Sequence, residues 1–244
     1  MSIRKTILLG VATLICTTSV FAAPMTFFGY DQGLGEGTRL NTYTNATAAS
    51  NNFLNHLIGV GTETFEGFAS GSTPPLNLSF PGAGTATLNG SGASIAEVSG
   101  GGTNGVGRYA ISGSKYVETG DKGFTITFAD PVAAFGFWGV DIGDFGGDLI
   151  IQTTNSSYTL NTKNNPGGSV LFWGIIDTDL FTSVTFSNTA AGTDYFAFDN
   201  MTIGSLEQIN PNPGGEVPEP TTMALAGAGL AGVIWASRRR KNAA

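Results

Sequence analysis

The sequence predicts an all-β protein. The expected fold is a two-sheet, jelly-roll-like β-sandwich with one short N-terminal helix before it and a single C-terminal transmembrane helix after it. Three observations lead there. Gly is abundant (36 of 244 residues) and charged residues make up only 12% of the chain, a composition that favours short strands and turns and serves helices badly. From Glu63 onward apolar residues alternate with a period of two, broken every few residues by Gly, Pro, Asn and Asp clusters. The last 28 residues, 217–244, contain one uncharged apolar run closed by a basic cluster.

Taken in order, residues 1–22 form an export signal. Arg4 and Lys5 are its charged start, Thr6–Ile15 its apolar stretch, and Val20-Phe21-Ala22 a small-residue cleavage site. Cys16 is the single cysteine and leaves with this segment, which excludes disulfides, zinc thiolates and a cysteine nucleophile from the mature chain. The segment 23–62 opens with Met25-Thr26-Phe27-Phe28 and a loop around Gly33, Gly35 and Gly37. A helix is expected over Thr47–Ile58: Phe53, Leu54, Leu57 and Ile58 share one face, Asn45 or Thr47 caps the start, and Gly59 ends it. His56, the one histidine, has no second histidine with which to bind a metal and reads as a packed or solvated side chain.

The sandwich is expected over 63–205, followed by a linker at 206–216. Its strands fall at Thr64–Phe68, Leu76–Phe80, Thr85–Leu88, Ser94–Val98, Arg108–Ile111, Lys115–Val117, Phe124–Phe128, Ala134–Asp141, Asp148–Thr153, Ser157–Leu160, Ser169–Ile176, Ser183–Phe186 and Tyr195–Ile203. Two of these carry apolar residues on both faces and read as central: Phe135-Gly136-Phe137-Trp138-Gly139-Val140 and Val170-Leu171-Phe172-Trp173-Gly174-Ile175-Ile176. Their shared Phe-Trp-Gly pattern suggests neighbours, each glycine leaving room for the other's ring. In the last strand Phe196 and Phe198 share one parity while Met201 and Ile203 share the other. One extra residue near Asp199-Asn200 restores a single inward face, so a β-bulge is expected there.

Segment 217–244 has three parts. Val217-Pro218-Glu219-Pro220 cannot continue a helix or a ladder and stays extended. Thr221–Ser237 with Pro220 is about 18 residues, and at about 1.5 Å per residue it just spans a bilayer core. Arg238, Arg239, Arg240 and Lys241 then stop transfer on the cytoplasmic side. A permanent tail anchor is the plainer alternative for the apolar run. The order of motif, span and basic stop resembles the PEP-CTERM sorting signal of Gram-negative bacteria, with its triplet at Pro218, Glu219 and Pro220. The resemblance implies recognition and tail removal by an exosortase, a membrane-embedded processing enzyme. The body is similar to the β-sandwich of many exported proteins with this signal, through Phe65-Glu66-Gly67-Phe68, Tyr109–Gly113, Phe135–Asp144 and Asp194–Ile203. That likeness implies an architecture and an export route rather than a reaction.

Charge narrows the partners. Six of the eleven basic residues (Arg4, Lys5, Arg238, Arg239, Arg240, Lys241) lie in the two targeting ends with one acidic residue, Glu219. The mature body keeps five basic and seventeen acidic residues, net −12. Such a surface repels phosphate backbones and makes nucleic acid an unsuitable partner.

The chemistry-bearing patterns are few. Gly100–Gly105 has the letters of a dinucleotide loop but runs into Val106-Gly107-Arg108-Tyr109 rather than a helix, so it reads as a loop between strands. Asp141, Asp144 and Asp148, spaced by glycines, could wrap a hard cation or simply shape a turn. Glu66 and Asp199 resemble the early Glu and late Asp that hold a structural calcium where first and last strands meet in several carbohydrate-binding jelly rolls. The plainer alternative is that Asp199 and Asn200 serve backbone groups at the bulge. Tyr30, Tyr109, Tyr116 and Tyr158 are candidate sugar platforms, with Trp138 and Trp173 expected in the core. No Gly-x-Ser-x-Gly elbow occurs and His56 stands alone, so no enzyme is expected. The chain reads as an exported surface or matrix protein, structural or adhesive, with exopolysaccharide the partner that the resemblance suggests. A lectin-like module is the alternative, and a glycan hydrolase a further one.

Overall fold

The computed structural model describes residues 23–120, 123–144, 146–190 and 194–213. The expected signal peptide and the C-terminal helix with its sorting motif lie outside them. Among the described residues no helix is long and apolar enough to cross a membrane.

The elements in order are β1 (Met25–Asp31), α1 (Thr44–Asn55), β2 (Thr62–Glu63), β3 (Leu76–Phe80), β4 (Gly84–Asn89), β5 (Ala93–Glu97), β6 (Lys115–Gly120), β7 (Phe124–Val140), β8 (Leu149–Thr153), β9 (Ser157–Leu160), β10 (Val170–Asn188) and β11 (Tyr195–Gly204), with a 3-10 turn at Leu206–Gln208. The sandwich is built from one antiparallel sheet curled over on itself, in place of two separate sheets. β7 and β10 cause the curl. Four predicted strands are here two long ones, each turning a corner without ending. Toward one end the 134–140 half of β7 pairs with the 170–176 half of β10 and with β11; toward the other, 124–128 pairs with 183–186 and with β4. Pro131, which has no N–H to give a ladder, sits at the corner of β7. The opposing stretch of β10 slips register between Ile176 and Phe181.

One layer is thus β5, β6, β11, half of β7, half of β10 and β1. The other is β3, β4, the remaining halves of β7 and β10, β8 and β9. Phenylalanines fill the space between. Phe124 and Phe137, at opposite ends of β7, both touch Phe186 (ring centroids 4.6 and 4.9 Å) and Phe198 (5.0 and 5.5 Å), which shows that the strand folds back across the core. Tilted and edge-on pairs of this kind add to the area they bury.

The first layer also buries its outer face, so every residue of 132–140 is buried. The two Phe-Trp-Gly segments are neighbours, with Phe172 opposite Trp138, Trp173 opposite Phe137, and Gly174 opposite Gly136. The space above the paired glycines is taken by Phe53 of α1 together with Phe172. A Cβ at Gly136 would lie 2.7 Å from Phe53, and one at Gly174 2.8 Å from it. Helix α1 starts three residues before its predicted start. Its cap is Asp31, at the end of β1, whose carboxylate accepts from the Asn45 N–H (3.1 Å) and the Ala46 N–H (2.8 Å).

The second layer leaves its outer face open. Adjacent strands there align Asn77, Thr87, Thr127 and Ser183 in one row, and Asn89, Thr125, Thr185, Gln152 and Ser157 in the next. Their alternate residues, such as Leu78, Leu88, Ile126, Val184 and Ile151, are buried in the core.

Two predicted strands are loops. Thr64–Phe68 is a turn: Phe65 has φ 60°, its N–H is taken by Glu63 (2.8 Å), and Lys115 Nζ donates to the carbonyls of Glu66 (3.1 Å) and Phe68 (2.7 Å). In Arg108–Ile111 the backbone N–H groups of Arg108 and Ile111 go to side chains, Asn104 (3.1 Å) and Asp199 (2.7 Å), instead of to a ladder.

Candidate functional site

The bulge expected at Asp199-Asn200 is present. β11 shifts register against β7 between Asp199 and Thr202, and Asn200 takes φ 47°. It turns the fully buried Asp199 carboxylate onto the loop after Tyr109. One oxygen accepts from the N–H groups of Ile111 (2.7 Å) and Ser112 (3.0 Å), the other from Asn200 (2.7 Å). Ser112 Oγ donates to Asn200 Oδ1 (2.7 Å). Glu66, on the turn after β2, holds the continuation of the same loop, accepting from the N–H groups of Ser114 (2.8 Å) and Lys115 (2.6 Å). The two carboxylates are close enough to feel each other. Burial pushes Asp199 up to about 7 against the pull of its three N–H donors, and the Glu66 charge adds to the rise. Both side chains spend acceptor capacity on backbone, Asp199 fully buried at the bulge and Glu66 at an exposed turn.

The Asp141, Asp144 and Asp148 triplet is divided. Asp141, 1% exposed with φ 65° at the end of β7, accepts from the Gly168 N–H (2.7 Å) and faces Arg108 Nη1 at 3.5 Å. Asp148 instead accepts from the Lys163 N–H (3.0 Å). The residue that joins Asp141 and Asp144 electrostatically is Asp194, far off in sequence. It is 1% exposed, and the neighbouring Tyr195 N–H is the backbone donor that pulls its pKa down. Burial, with the Asp144 charge adding to it, pushes Asp141 and Asp194 each up to about 7. Arg108 is the counter-charge. Its Nε donates to Glu118 (2.7 Å), Nη1 donates to the Tyr195 carbonyl (3.4 Å), and the guanidinium lies 5.5 Å above the Tyr195 ring. Among the described residues, no group of three or more His, Cys, Asp or Glu side chains could hold a metal ion. Spacing placed Asp148 in this set and could not reveal Asp194 or Arg108, which only the curled sheet brings in.

The tyrosines fall differently from expectation. Tyr109 and Tyr116 are fully buried, not loop-edge platforms. The Tyr109 hydroxyl donates to the Gly168 carbonyl (3.0 Å), and burial pushes it up to about 12. The tyrosine that meets amides at the surface is Tyr43, just before α1. It stands edge-on to Trp138 (5.5 Å, 70°) at the floor of an open depression of about 510 Å³ lined by Asn41, Thr42, Thr44, Thr47 and Asn51. The expected helix start at Thr47 left Tyr43 in an unassigned loop and hid it. His56 Nδ1–H donates to the Asn52 carbonyl (2.8 Å), and the ring packs on Phe27 (5.1 Å).

Beyond the described body, residues 216–241 match the PEP-CTERM protein-sorting motif. The chain carries a PEP-CTERM sorting signal. The signal implies export, membrane-anchored sorting and processing by an exosortase. No curated protein matches the chain. Among solved structures, the K2 cleaved adhesin domain of Lys-gingipain is 14% identical over 59% of this chain and 98% of that one, TM-score 0.41. TmCBM61, solved with β-1,4-galactotriose, is 14% identical over 49% of this chain and 88% of that one, TM-score 0.26. Similarities this distant carry no argument about what this chain binds.

Proposed function

We propose that this PEP-CTERM protein is delivered to the cell surface or the extracellular matrix, where its sandwich is structural or adhesive rather than catalytic. The observation that carries this is the sorting signal at 216–241, directly after a body whose last strand is sealed by the turn at Leu206–Gln208. The body supports it. Glu66, Asp141, Asp148 and Asp199, which the sequence singled out as ligands, are bound to backbone N–H groups or to Arg108, so they hold loops in place. Replacing Pro218, Glu219 and Pro220 by alanine tests the delivery. The wild-type body should leave the membrane fraction and the variant should stay in it; equal release of both would refute the proposal.

A glycan-binding role is favoured by one observation, the half-buried Tyr43 ring among the amides of Asn41 and Asn51. An aromatic face beside amide donors and acceptors is what a neutral sugar requires. Asn41→Ala/Asn51→Ala should weaken binding to neutral oligosaccharides at an unchanged melting transition, whereas Tyr43→Ala, which also strips a ring from Trp138, should weaken binding and lower the transition.

A further inference from the structure

We propose that the open outer face of the second layer is a docking surface for an extended neutral polysaccharide, contacted through the hydroxyl and amide side chains of Asn77, Thr87, Thr125, Thr127, Gln152 and Thr185. It rests on the adhesive reading above and names the surface and partner class that reading leaves open.

The chemistry of the face argues for this occupant. Not one Asp, Glu, Lys or Arg occurs in the segments 76–80, 84–89, 124–128, 149–153, 157–160 or 183–188, in a body of net charge −12. A face without charge neither attracts an ionic partner nor charges a neutral one the cost of desolvating an ion. Hydroxyl and amide groups both donate and accept. A polymer of hydroxyls, which also does both, is their complement in a way that an acidic glycan or a phosphate is not. A protein partner is less suited, because the rows offer no exposed aromatic or Arg anchor of the kind that dominates such interfaces.

Geometry adds order. The rows are fixed by the register across β3, β4, β7, β10, β8 and β9, with strands about 4.8 Å apart and same-face residues about 7 Å apart along each strand. Threonine is stiff at χ1, so its hydroxyl is presented at little entropic cost on binding. Thr125 and Thr185 already share a hydrogen bond of 2.9 Å across the strands, which fixes both rotamers. A groove of about 540 Å³ crosses the β3–β4–β7 part of the face between Asn77 and Thr127. At the margin Glu63 accepts from the Ser79 N–H (2.9 Å). Individual contacts of this kind are weak, and a long chain lying across several rows gains by repetition.

Affinity electrophoresis tests it, with the full chain kept soluble in a mild nonionic detergent and run in native gels. The gels contain dextran, starch or galactan, with alginate as an acidic control. The wild type should be retarded by at least one neutral polymer and not by alginate. The double variant Thr87→Glu/Thr127→Glu should lose about tenfold in affinity, and the near-isosteric Thr87→Val/Thr127→Val about threefold or more, the loss expected for missing hydrogen bonds. The valine variant should melt with the wild type, and the two glutamates, directly opposed across β4 and β7, should lower the midpoint by only a few degrees. If the double variants are retarded like the wild type while Tyr43→Ala is not, glycan is bound beside α1 and the sheet-face proposal is overturned, with the adhesive reading intact. If no neutral polymer retards the wild type, the sheet-face proposal is overturned, and the delivery reading still stands or falls on the Pro218, Glu219 and Pro220 variant.

Discussion

On one layer of the sandwich the outer surface of β7, β10 and β11, with Trp138, Val140, Val170, Phe172 and Ala197, is closed over by α1 and the loop carrying Leu40 and Tyr43. On the other layer the outer surface of the same two long strands, 124–128 and 183–187, carries Thr125, Thr127, Ser183 and Thr185 and is left open. β7 and β10 therefore change character at the corner, from apolar on both faces to strict alternation. The difference teaches where the fold spends its apolar residues: a third layer is built on one side, so the other side is free to be polar, uncharged and flat. Stability should reside in the covered face and contact with the outside in the open one.

That contrast can be broken most sharply at Phe53, whose ring fills the space over Gly136 and Gly174. Phe53→Ala should cost about 3–5 kcal/mol, read from urea unfolding, because the glycines offer no side chain with which to close the cavity. A cost below about 1 kcal/mol would mean that the helix is not what covers that face.

A second effect concerns the buried carboxylates on the covered layer and its loops. Asp141, Asp194 and Asp199 each have a folded pKa raised from 3.8 to about 7. Between those values the folded chain binds more protons than the unfolded one, so their contribution to stability is full below about pH 4 and is lost as pH rises to about 7. The thermal midpoint should be higher at pH 5 than at pH 8. Asp199→Asn should make this dependence shallower and cost about 1–3 kcal/mol at pH 5, since one amide oxygen replaces two carboxyl oxygens serving three N–H donors. A midpoint that rises steadily from pH 5 to pH 8 would contradict these raised pKa values and mean that the N–H donors and Arg108 stabilise the carboxylates more than burial penalises them.

On the open face the expectation is a near absence of effect. Thr127→Lys, or any single polar change along its two rows, should alter stability by less than about 0.5 kcal/mol. A loss of 2 kcal/mol or more on the same scale would show that the face is packed rather than exposed.

The sequence made the sandwich legible because alternation survives in nearly every strand. Parity alone located the bulge at Asp199-Asn200, and the paired Phe-Trp-Gly segments located the central neighbours. The corners were misread because Pro131 and the Asp177–Asp179 stretch carry turn residues, whereas the long strands bend there and continue. Arg108–Ile111 alternates like a strand, yet its N–H groups are satisfied by Asn104 and by Asp199, the latter 88 residues away. The helix start depends on Asp31, whose distance along the chain exceeds any local capping pattern. The same limit applies to the polar cluster. Asp141 was visible as a candidate, while Arg108, Glu118 and Asp194 became its neighbours only through the pairing of β6, β11 and β7. The open face was overlooked for another reason: hydroxyl residues at alternate positions look like ordinary solvent-side filler until the register aligns them across strands.

The central claim is that the apolar terminus is a delivery tag removed from a folded cargo, and the intact mass of the native protein from cells and medium tests it most directly. The account predicts a major species whose C-terminus lies near Pro218–Pro220 and lacks Arg238–Ala244. A major species that retains Arg238–Ala244 would contradict it and leave a permanent anchor in its place.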